Sequence, residues 1–309
     1  MAKKPTLRDV AREAGVSVAT VSYVLNNVTN QTIPQETRNR VYEAAEKLNY
    51  IQNLTARSLS VGRTNLLGAL LVAEESDLVS KHISYGKFID RLERLSNDRN
   101  YHLMVSRIDP GKPNFAIIAE RKLDGVFVID ASEDSFYAVS EKFPFGSPVV
   151  LIDSIVDDPL FRHVSPDFDG LFELAGEIAG KGRPFAVIHE RYHNRTIAKA
   201  IRDASGLGDE AILAADGDAG AIEAFIGKHR DKPLVVFNEF LALRLMKFAD
   251  PDGMIVVCTS DCPEYLPERT GKIVPDADKA RAATDIMHAL LQEPYDAAGL
   301  GGKLTFRLS

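Results

Sequence analysis

Residues 6–26 read TLRDVAREAGVSVATVSYVLN, and no other stretch limits the possible folds as sharply. Two short helical patterns flank a single glycine. In the first, Leu7, Val10, Ala11 and Ala14 recur at i, i+3, i+4 and i+7, the spacing of one helical face. Thr6 is placed to cap it, with Asp9 three positions on, a capping box with Asp in place of Glu. Gly15 stands where a helix commonly ends in a left-handed residue. Ser17 can cap the second helix, whose apolar face is Val18, Val21, Val24 and Leu25. Two helices joined by a short glycine-containing turn make a helix-turn-helix, and the second can lie in a DNA major groove. An ordinary αα-hairpin has the same periodicity, so the residues that follow carry the distinction.

They extend the pattern. Pro34 stands at or beside the start of a third helix, where a missing N–H does no harm. Val41, Ala44, Ala45 and Leu48 give its core stripe, and Asn49 ends it. Three helices this small share a thin core, so the head is expected to be only moderately stable alone. Residues 53–65, NLTARSLSVGRTN, are helical in propensity up to Gly62 but too short for an independent helix. They read either as a plain linker or as a hinge that folds on DNA and inserts Leu59, with Ala56 beside it, between minor-groove base steps. Charge agrees with DNA at this end. Residues 1–63 hold nine Lys+Arg against five Asp+Glu, a net of +4, while the remainder carries −11 of the overall −7.

On the second helix, Val18, Ala19 and Tyr23 occupy the exposed early face and are the candidates for base edges, the first two through apolar contact suited to a thymine methyl. Thr6, Ser17, Thr20, Ser22 and Asn26 are better placed for phosphates.

The body alternates strand-like and helical runs. Strands are expected at 66–73, 102–107, 125–130, 149–153, 185–189, 234–238 and 254–259, with helices at 88–99, 171–179, 222–229 and 241–248. Such βαβ alternation implies parallel sheets, hence an α/β body beside an all-α head. Ligands of open parallel sheets bind beyond the carboxyl ends of the strands. Those ends carry Asp130, Asp153, His189, Asn238 and Asp261.

TLRDVAREAGVSVATVSYVLN, followed by ETRNRVYEAAEKLNYIQNLTARSL, resembles the lactose-repressor (LacI/GalR) family of bacterial transcription regulators. The resemblance is dense over residues 5–65 and continues more loosely to 309. It implies a helix-turn-helix domain at 1–52 and a hinge helix and linker at 53–65. It also implies an effector-binding and dimerisation domain at 66–309, two-lobed like a periplasmic binding protein. Its lobes would be about 66–165 plus 291–309, and 166–290. It further implies a repressor acting as a homodimer on near-palindromic double-stranded operator DNA, with a small-molecule effector such as a sugar in the cleft. Residue by residue, Asp153 resembles the family's pocket aspartate, and Arg195 the arginine after the strand ending at His189. Asn238 resembles the asparagine of an Asn-Asp motif in which Glu239 replaces Asp, and Asp261 lies one place beyond the usual aspartate, where Ser260 stands. The turn after the first body strand, SDLVSKHISY, is a few residues longer than in the family, so His82, Ser84 and Tyr85 become candidate cleft residues. The chain has no tryptophan, so an aromatic stacking on a sugar would be Phe or Tyr. The closing KLTFRLS reads as a final strand with no leucine heptads after it, so a dimer is expected rather than a coiled-coil tetramer.

Other features bound the alternatives. No apolar run reaches membrane-spanning length, and Lys3 and Lys4 precede no signal-type apolar region. Two cysteines, Cys258 and Cys262, fit a reducing cytoplasm and are too few for zinc alone, so a cytoplasmic protein without cofactor or metal is expected, and the resemblance implies that it is nucleoid-associated. His189-Glu190-Arg191-Tyr192-His193 matches the zinc-protease pattern H-E-x-x-H, which requires a helix and a third ligand. Here it begins at a strand end with no further ligand motif, so no enzyme activity is expected. GEIAGK at 176–181 has one residue too few for a phosphate-binding loop, and DGDAG at 216–220 lacks the spacing of a calcium loop. The competing reading is a periplasmic-binding-protein-like ligand-binding protein or zinc-dependent hydrolase with the head as an adaptor.

Overall fold

A computed structural model describes residues 5–25, 32–50, 63–110, 121–143, 147–158, 161–292 and 302–309. The chain divides into two compact units, Met1–Thr64 and Asn65–Ser309.

The first unit holds three helices: α1 (Leu7–Ala14), α2 (Val18–Leu25) and α3 (Gln35–Lys47). Thr6 and Asp9 form the reciprocal capping box, with the Thr6 N–H donating to Asp9 Oδ2 at 2.9 Å and its hydroxyl to the same oxygen at 2.7 Å. Gly15 ends α1 at φ 65°, a left-handed conformation that glycine adopts without a Cβ penalty. The Val16 N–H then closes back on Ala11 O at 3.0 Å. Ser17 starts α2 by accepting from the Thr20 N–H at 3.0 Å. Val10, Val21, Val24 and Val41 are fully buried, and Ala11, Ala14 and Ala44 complete the core. Pro34 is the residue before α3, and Asn49 leaves it at φ 48°.

The second unit contains two six-stranded sheets, one per lobe. The first lobe's sheet runs β11 (Lys303–Leu304), β5 (Arg162–Pro166), β4 (Val149–Ile152), β3 (Gly125–Ile129), β1 (Leu66–Val72), β2 (His102–Ile108), all parallel. The second runs β12 (Phe306–Leu308), β10 (Gly271–Pro275), β9 (Met254–Val257), β8 (Leu234–Phe237), β6 (Ala186–Glu190), β7 (Ile212–Ala215), with only β12 antiparallel. Helices α4 (Val79–Asn97), α5 (Glu133–Ser140) and α10 (Lys279–Gln292) cover the first sheet. Helices α6 (Phe168–Ala179), α7 (Arg195–Ser205), α8 (Ala219–Lys228) and α9 (Glu239–Leu245) cover the second. The central strands, GVFVI, VVLI, LVVF and MIVV, are buried on both faces, as parallel strands between helix layers must be.

Two expectations about the lobes need correction. Residues 166–290 do not form one lobe, because α10 packs its Ala283, Ile286, Met287 and Leu290 into the first lobe's core beside α4. The final segment does not serve the first lobe alone: β11 pairs with β5, whereas β12 pairs with β10 in the other sheet. The chain therefore crosses between lobes three times, after β5, after β10, and at Thr305. At the last crossing β11 runs so close to β5 that a Cβ on Gly302 would fall 1.5 Å from His163 O. Strands β5, β7 and β10 had no clear sequence signature. RHVSP and GKIVP mix polar residues, Pro or Gly with few apolar ones, and they sit toward the sheet margins.

Candidate functional site

Helix α2 presents two faces. Val21 and Val24 are buried against α1 and α3, while Val18 is 41% and Tyr23 39% exposed, with Ala19 exposed beside them. Large apolar groups stand in solvent here because the helix's own core stripe is already satisfied by α1 and α3. Thr6 and Ser17 are exposed, and Thr20 and Ser22 half-buried. The Ser17 and Thr20 hydroxyls lie 2.9 Å apart at the start of α2, where exposed N–H groups and the helix dipole favour a phosphate. Asn26, Ala56 and Leu59 lie outside the described residues.

The second unit holds a cavity of about 380 Å³ between its two sheets. Its wall is built from strand ends and one face of α4: Lys81, Ser84, Tyr85 and Phe88 recur at helical spacing, and His82 falls off that face. Asp153, Asn238 and Asp261 also line it. All three are left-handed, at φ 49°, 86° and 52°, as is Asp130 at φ 55° after β3. Asn and Asp tolerate this conformation better than other residues with a Cβ, so each chain can turn sharply off its strand at the cavity. Such positive-φ positions cluster at functional sites.

Lys81, Glu190, Asp153 and Lys279 in the wall join a dense ionic network that continues behind it. Lys81, 4% exposed, pairs with Asp130 and, at 3.2 Å, with Asp77. His193 Nε2 lies 3.2 Å from Asp77, and the His193 N–H donates to Asp130 Oδ1 at 3.2 Å. Glu190 accepts from the Ser80 hydroxyl and, at 3.1 Å, from Asn238 Nδ2. Lys279 Nζ donates to Asp153 at 2.8 Å while lying 5.3 Å above the Phe88 ring. Burial pushes Glu190 up to about 7, with Ser80 and Lys81 opposing. Burial likewise raises Asp130 to about 6 against the pull of Lys81 and His193. Burial also acts to raise Asp77, but the His193 hydrogen bond and Lys81 charge outweigh it and hold this carboxyl well below the usual range. The phenols of Tyr85 and Tyr192 are raised by burial, then by the surrounding carboxylates.

Of the seven sequence candidates for effector contact, Asp153, Asn238, Asp261, Ser84 and Tyr85 come together in the wall, and Arg195 and His82 do not. Arg195 is the first residue of α7 with an exposed side chain. Its neighbour Asn194 turns inward instead, capping α7 through the Ile197 N–H at 3.0 Å and donating to Ala131 O and Ile155 O. Sequence reasoning missed Lys81, Glu190, Tyr192 and Lys279. Glu190 was in view as part of H-E-x-x-H, but that motif spans the end of β6 and the loop after it. His189 is buried, its Nδ1 2.8 Å from Glu190 O, whereas His193 faces Asp77, so the shared helical face that zinc needs is not formed. Glu239 accepts from the Ser260 and Cys262 N–H groups at 3.1 and 2.7 Å, fixing the loop that carries Asp261. No described helix is long and apolar enough to cross a membrane.

Comparison with known proteins adds to this geometry. Residues 6–53 match the profile of bacterial regulatory proteins of the lacI family. The transcriptional regulator RegA of Clostridium acetobutylicum is 37% identical over 131 residues, covering 41% of this chain and 37% of that protein. Catabolite control protein A of Staphylococcus aureus is 31% identical over 191 residues, covering 59% and 55%. The chain thus spans about half or less of the length of these relatives. Among solved structures, the lac repressor dimer bound to operator and the anti-inducer ONPF shares the fold with a TM-score of 0.70 at 18% identity, over 99% of this chain and 98% of that one. A LacI-family regulator from Silicibacter pomeroyi does so at 0.67 and 21%, with the same coverage.

Proposed function

We propose that the chain is a LacI-family sequence-specific DNA-binding transcription regulator, a repressor, on the strength of the profile match over residues 6–53 and the similarity to catabolite control protein A. It acts as a homodimer on near-palindromic double-stranded operator DNA and is controlled by a small polar effector, such as a sugar, in the cavity between the lobes. It is not an enzyme and works in the bacterial cytoplasm, associated with the nucleoid. Residues 1–52 bind DNA, 53–65 form the hinge with Ala56 and Leu59 directed to the minor groove, and 66–309 bind effector and dimerise.

The observation that carries this reading is the division of α2 into a face closed by Val21 and Val24 and an open face bearing Val18, Ala19 and Tyr23. The open face reads bases, while Thr6, Ser17, Thr20, Ser22 and Asn26 hold phosphates and fix the register. Effector contacts fall to Asp153, Asn238, Asp261 and Tyr85, joined by Glu190 and Tyr192. Effector alters operator affinity only by binding the two lobe arrangements unequally, with a coupling of about 1–3 kcal/mol typical of such systems. Tyr23→Ala should change base preference at one position per half-site, a discrimination of about 1–3 kcal/mol. Selection of binding sites from random DNA by parent and variant measures this, and identical site sets would remove Tyr23 from the reading surface.

A further inference from the structure

Helix α4 belongs to the first lobe by packing, yet its beginning is bonded to the second. Leu78, the residue capping α4, is 7% exposed and lies in the second lobe's buried cluster with Ala215, Ile222 and Leu241. A Cβ on Gly217 would stand 3.4 Å from its Cδ2. The Ser80 hydroxyl donates to Glu190 at the end of β6. Lys81 Nζ donates to Arg191 O at 3.0 Å. Ser84 Oγ accepts from Asn238 Nδ2 at 2.5 Å and lies within hydrogen-bond distance of Ser260 Oγ, at 2.6 Å. Lys87 Nζ reaches Asp261 O. Positions 80, 81, 84 and 87 form one stripe of the helix, so a single rigid element meets the ends of three strands of the opposite sheet.

We propose that residues 78–87 are an intrinsic latch that occupies the second lobe's strand ends and holds the two lobes closed through contacts of the chain with itself. A cavity ligand then acts on lobes already closed, by reinforcing the latch or by springing it. The inference concerns the second unit alone and stands whether or not the head binds DNA.

The latch also responds to protons. Glu190 is faced by Ser80 and Lys81 from α4, Asp130 from the end of β3, Asn238 from the end of β8, and the phenols of Tyr85 and Tyr192. Closure buries it and raises it from 4.5 to about 7, so the closed arrangement binds the proton more tightly. The closed-to-open ratio therefore falls as pH rises from about 4.5 to about 7, by at most about tenfold per unit, and levels off above.

The test is the distance between spin labels on Asp98→Cys in the first lobe and Glu268→Cys in the second, measured by pulsed electron paramagnetic resonance on the full chain without DNA or added ligand. At pH 6 a single short distance is expected, with a longer one gaining population at pH 8. Leu78→Ala should lower the closed-to-open ratio by about tenfold or more at both pH values. Glu190→Gln, which keeps the acceptor but removes the charge, should hold the short distance at both. If Leu78→Ala does not fold, the Ser80→Ala/Ser84→Ala pair takes its place with the same direction of change. A predominantly long distance in the parent at pH 6, or an unchanged distribution in the latch variants, would overturn the proposal.

Discussion

Tyr23 in the head and Lys81 in the body are both contact candidates, but their surroundings differ in kind. Tyr23 is 39% exposed on a helix whose other face is anchored by Val21 and Val24. Lys81 is almost wholly buried, paired with two carboxylates and a carbonyl. A displayed residue can change with less effect on stability, since it is not part of the buried core. A residue inside a satisfied buried network cannot, because each partner left behind keeps its desolvation cost. The head can therefore alter its specificity while keeping its fold, whereas the cavity's recognition groups are also its structural supports.

The sharpest way to break this contrast is to place a charge in the head's core. Val21→Asp buries a carboxylate where no partner exists, costing about 4 kcal/mol or more, enough to unfold so small a unit. Calorimetry should show the head's contribution lost and the body's melting unchanged. Next in size, Lys81→Met leaves Asp77 and Asp130 buried together without their cation, a loss of about 3–5 kcal/mol from the body. Chemical denaturation measures it, and a loss under 1 kcal/mol would show that the network is not structural. The third concerns pH. Because burial raises Glu190 to about 7 and Asp130 to about 6, the folded body binds more protons than the unfolded chain between the ordinary carboxylate range and those values. Its stability should fall as pH rises through that window, by roughly 3 kcal/mol at most for Glu190, and Glu190→Gln should flatten the curve. Smallest is Thr6→Ala, which removes the capping hydroxyl of α1 and should cost the head about 1 kcal/mol. A melting shift in the body from that change would contradict the independence of the two units.

The same contrast explains what was legible in the sequence. The head's chemistry is local: Thr6 with Asp9, Gly15, and Ser17 with Thr20 act within four residues, so spacing revealed them. The strand-end residues Asp153 and Asn238 were also readable, since each follows an apolar run and sits in a conformation that Asx residues favour. What spacing could not show were partners from distant segments. Lys279 reaches Asp153 across 126 positions, and Glu190 meets Ser80 across 110. Lys81 had no visible role because, although Asp77 is a local i−4 partner, its second carboxylate, Asp130, comes from the end of a distant strand. Arg195 went astray by one position: the capping requirement of α7 turned Asn194 inward and its neighbour out.

The third crossing between lobes restricts how the body can move. Thr305 alone separates β11, held in one sheet, from β12, held in the other. One residue spans no more than about 3.6 Å, so the sheets cannot slide past each other at this point without unpairing a strand. Rotation is still available, because two backbone torsions can turn while the length stays fixed. Thr305 thus behaves as the pin of a pivot rather than as slack in a tether. Relative motion of the sheets must grow with distance from it, and the ångströms of travel at the far rim of the cavity are set by a few degrees at this residue.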